Sequence, residues 1–124
     1  MLTPSATATV LVVEDDLALR ELYRTALNAA GHRVIMASDG MGALGLIELE
    51  RPAVVVLDLD LPLVNGWDVY RDLRSQQSTK KLPIIVVSGH ELRGIEQHDL
   101  ASFLAKPVDP GEVVSAVERA MIRR

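Results

Sequence analysis

Residues 54–62 read VVVLDLDLP, a run of aliphatic residues that ends in two aspartates two positions apart, Asp58 and Asp60. Such a continuous apolar run is typical of a strand that is covered on both faces. One carboxylate after a strand is accounted for by a turn or a helix cap, but two at the end of a buried strand indicate a site. The pair alone does not show which aspartate does the chemistry.

Polar residues of matching chemistry follow three of the other four short apolar runs of the chain. In chain order they are Glu14, Asp15, Ser88 and Lys106. Since ligands of an open α/β sheet bind beyond the carboxyl ends of its strands, we expect these side chains to meet Asp58 at one edge of the sheet. A turn or a cap explains any one of these placements, but not all of them together.

The residue types at this edge favour metal binding and phosphoryl transfer. Two carboxylates about 4 Å apart repel each other by about 4 kcal/mol at an effective dielectric of about 20, and a divalent cation relieves that repulsion. No histidine or cysteine is among these positions, so the ligands are all oxygen and Mg²⁺ is favoured over zinc. The ammonium of Lys106 and the hydroxyl of Ser88 suit phosphoryl oxygens. The set predicts a phosphoryl-transfer site with Asp58 as the candidate nucleophile.

The elements that must position these residues alternate between short β-branched runs and longer helical patterns. Predicted strands span residues 10–13, 33–37, 53–57, 84–87 and 102–105. Predicted helices span residues 17–30, 40–50, 67–75 and 92–98, and a last helix begins at about residue 109. This alternation predicts an α/β fold, with a parallel sheet and helices on both of its faces.

Local signals mark where several of these elements begin and end. Asp16 is predicted to cap the first helix, Gly31 to end it, and Asp109 with Glu112 to form a capping box for the last helix. The histidines have no metal-ligand spacing, so they are predicted to lie at the surface; they are His32, His90 and His98.

Length and composition exclude several classes of protein. The 124 residues fit one domain, predicted at residues 9–124 after a flexible polar tail at residues 1–8. A net charge of −4 argues against a direct nucleic-acid partner, and the absence of cysteine fits a cytoplasmic location. No aliphatic run is long enough to span a membrane, so no membrane partner is predicted.

The segments VLVVEDD, VVLDLDLPLVNGWDV, PIIVVSG and FLAKP resemble, in this order, the signature segments of bacterial two-component response-regulator receiver domains. The resemblance covers about residues 9–122. It implies a flavodoxin-like, doubly wound, five-stranded parallel sheet of order 2-1-3-4-5 with five flanking helices. The stretch between Ser88 and Lys106 is about one helical turn shorter than is usual in the family, so the fourth helix is predicted to be short.

The resemblance also implies a role for each candidate residue. Asp58 is expected to accept a phosphoryl group, Lys106 to bind it, and Ser88 and Phe103 to act as the switch pair, with the Lys106–Pro107 peptide in cis. The implied Mg²⁺ ligands are Asp15 directly, Glu14 through water, Asp58, and the backbone carbonyl of Asp60.

The function implied is a phosphorylation-dependent signalling switch, which catalyses only its own phosphorylation and dephosphorylation. The expected partners are a sensor histidine kinase or a phosphotransfer protein, and a downstream effector. Two alternatives stay open. A haloacid-dehalogenase-like phosphatase would use Asp58 as nucleophile and Asp60 as general acid/base, and a degenerate receiver would act only as a binding module.

Overall fold

The computed structural model of the chain describes residues 9–89 and 100–122. Its elements are, in chain order, β1 (Thr9–Val13), α1 (Leu17–Ala29), β2 (Arg33–Ala37), α2 (Gly40–Glu50), β3 (Val54–Asp58), α3 (Gly66–Ser75), β4 (Ile84–Ser88), β5 (Ser102–Ala105) and α4 (Pro110–Ile122). Four helices are therefore described where five were predicted. The predicted short helix at residues 92–98 and the predicted tail at residues 1–8 lie outside the described residues.

The five strands form one parallel sheet in the order β2-β1-β3-β4-β5, as predicted. The register aligns the carboxyl ends of the strands, because Val13 lies beside Ala37 and Leu57, and Asp58 lies beside Val87. The residues that follow β1, β3, β4 and β5 consequently share one edge of the sheet. No helix in the described part of the chain is both long and apolar enough to cross a membrane.

Strand β3 is buried on both faces, which explains its continuous apolar sequence. Val55 and Leu57 pack in the hydrophobic layer under α2 and α3, whereas Val54 and Val56 pack under α1 and α4. Side chains alternate between the two faces along a strand, so Asp58 continues the face that is covered by α1 and α4. The Asp58 carboxylate therefore lies at the carboxyl edge of the sheet, on the face that α1 and α4 cover.

The predicted caps are confirmed where the described helices begin. The side chain of Asp16 accepts a hydrogen bond from the Leu19 backbone NH. At α4 the backbone NH of Asp109 donates to Glu112 Oε1 at 3.2 Å, which is one half of the predicted capping box. Each of these hydrogen bonds joins residues three positions apart. Local sequence therefore determines where α1 and α4 begin.

The surface prediction for His32 is wrong, because this side chain is buried and its Nε2 lies 3.2 Å from Glu118 Oε2 on α4. The cause is the end of α1. Gly31 has a φ of +97°, and the backbone NH groups of Gly31 and His32 donate to Asn28 O and Leu27 O. This is a Schellman motif, which turns the residue after the glycine back onto the helix it has just left. His90 and His98 lie outside the described residues.

Candidate functional site

Three carboxylates and a lysine meet at the carboxyl edge of the sheet, as predicted. One oxygen from each of Glu14, Asp15 and Asp58 lies within 4.8 Å of the others. Lys106 Nζ is 3.2 Å from Asp58 Oδ2 and 3.5 Å from Glu14 Oε1. Glu14 and Asp58 are 1% and 2% exposed, whereas Asp15 faces solvent. The cluster is therefore buried at Glu14 and Asp58 and open to solvent at Asp15.

The turn between β1 and α1 holds Glu14 from both its backbone and its side chain. The Asp16 backbone NH donates to Glu14 Oε2 at 3.2 Å, and Arg20 Nη1 donates to the Glu14 carbonyl oxygen at 2.9 Å. Arg20 is not among the site residues predicted from the sequence. One sequence feature could have indicated it: Arg20 is a cation near the N-terminal end of α1, where the helix dipole disfavours positive charge. A specific hydrogen-bond acceptor is therefore expected near its side chain.

The two aspartates of the DLD sequence, Asp58 and Asp60, make different contacts at the end of β3. Asp58 Oδ1 accepts a hydrogen bond of 3.0 Å from the Asp60 backbone NH. Asp60 is exposed, and its Oδ2 lies 3.5 Å from the Gly89 backbone NH. Asp58 therefore points into the buried cluster, while the side chain of Asp60 points towards the loop after β4.

The remaining predicted residues lie on β4 and β5. Ser88 is buried at the end of β4, and its carbonyl oxygen accepts a 2.9 Å hydrogen bond from the Lys106 backbone NH. The Lys106–Pro107 peptide is cis, as predicted. Phe103 lies on β5, half-buried against the layer under α2 and α3. The switch roles of Ser88 and Phe103 stay predictions.

The charges of the cluster are only partly balanced. Burial raises the pKa of Glu14 from its ordinary value of 4.5 to about 7, and the charge of Asp58 adds to the rise. Burial lowers the pKa of Lys106, but the charges of Asp58 and Glu14 outweigh burial, so the net shift is upward. One ammonium thus faces three carboxylates, which leaves the site short of positive charge.

The residues present fit a hard divalent cation. Glu14 Oε1 and Asp58 Oδ2 are buried, and both face the single ammonium of Lys106, at 3.5 Å and 3.2 Å. With Asp15 they form an all-oxygen donor set, which suits Mg²⁺ because this ion prefers carboxylate ligands and retains several waters. The exposed side of the cluster, at Asp15, provides room for those waters and for a further oxygen ligand.

The raised pKa of Glu14 gives a pH prediction for the metal-free protein. Between pH 4.5 and about 7 the folded protein retains a proton on Glu14 that the unfolded chain has lost, so the free energy of unfolding falls as the pH rises through this interval. Urea unfolding in EDTA across the interval measures the fall, and Glu14→Gln is expected to flatten it. The exposed Glu48→Gln is the control; an equal fall in both variants would contradict the assignment to Glu14.

Leu63, in the loop between β3 and α3, carries local backbone strain. Its φ is +67° and its side chain is 94% exposed. The left-handed conformation costs an L-residue about 1–2 kcal/mol, and asparagine tolerates it better. We expect Leu63→Asn to raise the free energy of unfolding by about 0.5–1 kcal/mol in urea. Leu17→Asn, at an exposed helical position, should give no gain; the prediction fails if the two variants behave alike.

The chain is similar to known proteins over nearly all of its length. The family model for the response regulator receiver domain matches residues 10–118. Over 120 residues the chain is 38% identical to the response regulator MprA of Mycolicibacterium vanbaalenii, which covers 93% of this chain and 50% of that protein. The chain spans about half the length of the curated relatives it matches.

Solved structures share the fold. The chemotaxis response regulator CheY4 of Vibrio cholerae superposes with a TM-score of 0.82 at 26% identity, covering 92% of this chain and 98% of that one. The receiver domain of the sensor histidine kinase PA1611 from Pseudomonas aeruginosa superposes with a TM-score of 0.81 at 26% identity, covering 93% and 98%. That structure has a magnesium ion coordinated in its active site cleft. These likenesses confirm the predicted flavodoxin-like fold.

Proposed function

This chain belongs to the response regulator receiver domain family, and on that premise we propose that it is a switch controlled by phosphorylation of Asp58. The observation that carries the proposal is the meeting of Glu14, Asp15 and Asp58 with Lys106, which is 3.2 Å from the Asp58 carboxylate. Every residue type that phosphoryl transfer to a carboxylate needs is present at this edge. That completeness argues against a degenerate receiver.

We propose that Mg²⁺ is held by Asp15, Asp58 and the carbonyl of Asp60, with Glu14 acting through water. When bound, the ion offsets charge on the phosphoryl oxygens. An Asp58 carboxylate oxygen forms the new bond to phosphorus as the bond to the donor breaks, and the donor atom keeps the electron pair. Lys106 already lies beside Asp58 Oδ2, so its ammonium can bind a phosphoryl oxygen with little movement.

The proposed response begins at Ser88 and Phe103. Ser88 is buried at the end of β4, beside the strand that carries Asp58, and it would bond the new phosphoryl group. Phe103 lies half-buried on the neighbouring strand and would move further inward. A coupling of about 1–3 kcal/mol between the two states is typical of such switches. Water then removes the phosphoryl group, which returns the protein to its resting state.

The proposed partners follow from the family and from charge. Members are signalling modules rather than enzymes that act on outside substrates. We propose a phosphohistidine of a kinase or of a phosphotransfer protein as the donor, a downstream protein or domain as the target, and the cytoplasm as the location. The net charge of −4 supports protein contacts rather than direct contact with nucleic acid.

Intact mass spectrometry tests the proposal with acetyl phosphate as the phosphodonor. The wild-type chain is expected to gain the mass of one phosphoryl group with Mg²⁺ present, and to gain none when EDTA removes the ion. A chain that gains no mass with Mg²⁺, or that gains as much in EDTA, would disprove the proposed function. Sustained turnover of p-nitrophenyl phosphate would favour the phosphatase alternative instead.

A further inference from the structure

The hydroxyl of Tyr23, on α1, is a buried polar group outside the cluster of carboxylates and Lys106. The side chain is 1% exposed, and its oxygen forms no hydrogen bond with any described residue. A buried hydroxyl ordinarily has a hydrogen-bond partner, because its removal from water is otherwise unfavourable. The place of Tyr23 in the fold decides which group can be that partner.

Tyr23 packs on the same face of the sheet as the charged cluster. It belongs to the hydrophobic layer under α1 and α4, together with Val12 of β1, Val56 of β3 and Leu104 of β5. Because side chains alternate between the two faces along a strand, the residues two positions further on continue this face at the carboxyl edge. These residues are Glu14, Asp58 and Lys106. The charged groups therefore lie at the end of the layer that contains Tyr23.

The direction of α1 turns the Tyr23 side chain towards the charged end of this layer. The helix begins at the carboxyl edge, where Asp16 caps it, and helical side chains lean back towards the N-terminus of their helix. Burial raises the pKa of the Tyr23 hydroxyl; the charge of Glu14 adds to the rise and the charge of Lys106 opposes it. The hydroxyl therefore keeps its proton at neutral pH and can donate a hydrogen bond on the side of Glu14.

Glu14 has an oxygen that can accept such a bond. Its Oε2 already accepts from the Asp16 backbone NH, whereas its Oε1 faces Lys106 Nζ at 3.5 Å, which is longer than an ordinary hydrogen bond of about 2.7–3.2 Å. The ammonium lies closer to Asp58, at 3.2 Å, and is proposed above to bind the phosphoryl group. A buried water typically joins about three polar groups, and Tyr23 Oη, Glu14 Oε1 and Lys106 Nζ supply that number.

We propose that Tyr23 is a positioning residue of the metal site, whose hydroxyl donates through one buried water to Glu14 Oε1. This bond holds the Glu14 carboxylate in the orientation in which it can bind a water of the Mg²⁺ ion. The role deepens the proposed function and rests on it for the identity of the ion. Phenylalanine at position 23 would fill the same space in the core but would provide no donor.

Isothermal titration calorimetry of the metal-free chain with magnesium chloride tests this role. Tyr23→Phe is expected to raise the dissociation constant of Mg²⁺ about three- to tenfold, which is the effect of losing one hydrogen bond. Phosphorylation by acetyl phosphate should change in the same sense. The Mg²⁺ concentration that gives half the maximal rate should rise about three- to tenfold, whereas the rate at saturating Mg²⁺ should stay within about twofold of the wild type.

Tyr70→Phe is the matched control, because Tyr70 is also buried but packs in the layer on the opposite face of the sheet. This variant should bind Mg²⁺ as the wild type does. Since the chain has two tyrosines, it also leaves Tyr23 as the single one, and the tyrosine absorption band should shift when Mg²⁺ is added. A purely structural role of Tyr23 in the core predicts neither the change in Mg²⁺ affinity nor this shift.

The role of Tyr23 is disproved if Tyr23→Phe binds Mg²⁺ as tightly as the wild type, if Tyr70→Phe weakens binding equally, or if the absorption band does not respond to Mg²⁺. A wild type that binds no Mg²⁺ disproves it as well. A wild type that binds Mg²⁺ but gains no phosphoryl mass disproves the proposed function instead, and the comparison of the two phenylalanine variants still decides the role of Tyr23.

Discussion

Asp58→Ala is expected to abolish phosphorylation by acetyl phosphate, whereas Asp60→Ala is expected to preserve it and change only its rate. The two side chains are two positions apart but occupy different environments. Asp58 is 2% exposed and lies 3.2 Å from the Lys106 ammonium. Asp60 is exposed and contacts the loop after β4. Alanine at position 60 also keeps the backbone carbonyl that we assign to the metal.

The time course of intact mass separates the two roles. Asp58→Ala should gain no phosphoryl mass at any time, and Asp58→Asn, which keeps the shape of the side chain, should behave the same way. Asp60→Ala should gain one phosphoryl group at a rate within about tenfold of the wild type, which corresponds to about 1.4 kcal/mol. Equal loss in the position 58 and position 60 variants would rule out this division of roles.

Features that depend on neighbours in the chain are predictable from the sequence. β3 is covered on both faces, so its sequence is an unbroken apolar run, and this run predicts that the strand is buried. Asp16 caps α1 through a bond to a residue three positions on. The strand-end rule then brings Glu14, Asp58 and Lys106 to one edge without any knowledge of their contacts. The candidate site is predictable because parallel strands all end on the same side.

Features that depend on distant side chains or on single backbone angles are not predictable in this way. His32 bonds Glu118, which is 86 residues away in the chain. The sequence pattern around neither residue predicts this pairing. Arg20 binds a backbone carbonyl, which every residue possesses, so the acceptor carries no sequence signal. The strained φ of Leu63 follows from how the β3–α3 loop must close, since leucine itself gives no reason to adopt it.

That loop closure rests on Gly66, and Gly66→Ala is expected to disrupt both the fold and the site. A Cβ at this position would lie 2.5 Å from Leu59 Cα and 2.6 Å from the Asp58 carbonyl oxygen. Both contacts are with backbone, which cannot rotate away as a flexible side chain does. The Gly66 backbone NH also donates to Leu59 O at 3.0 Å, so relief of the clash must break this bond and shift the end of β3.

We expect Gly66→Ala to lower the free energy of unfolding by about 2–3 kcal/mol in urea. Where the variant still folds at low temperature, phosphorylation should slow by about a hundredfold, because a displacement of about 1 Å at a reacting group has an effect of this size. Gly45→Ala is the matched control. Its new Cβ meets nothing within 4 Å, so it should stabilise α2 by about 0.5–1 kcal/mol. If Gly66→Ala keeps wild-type stability and rate, the loop yields freely and its packing does not position Asp58.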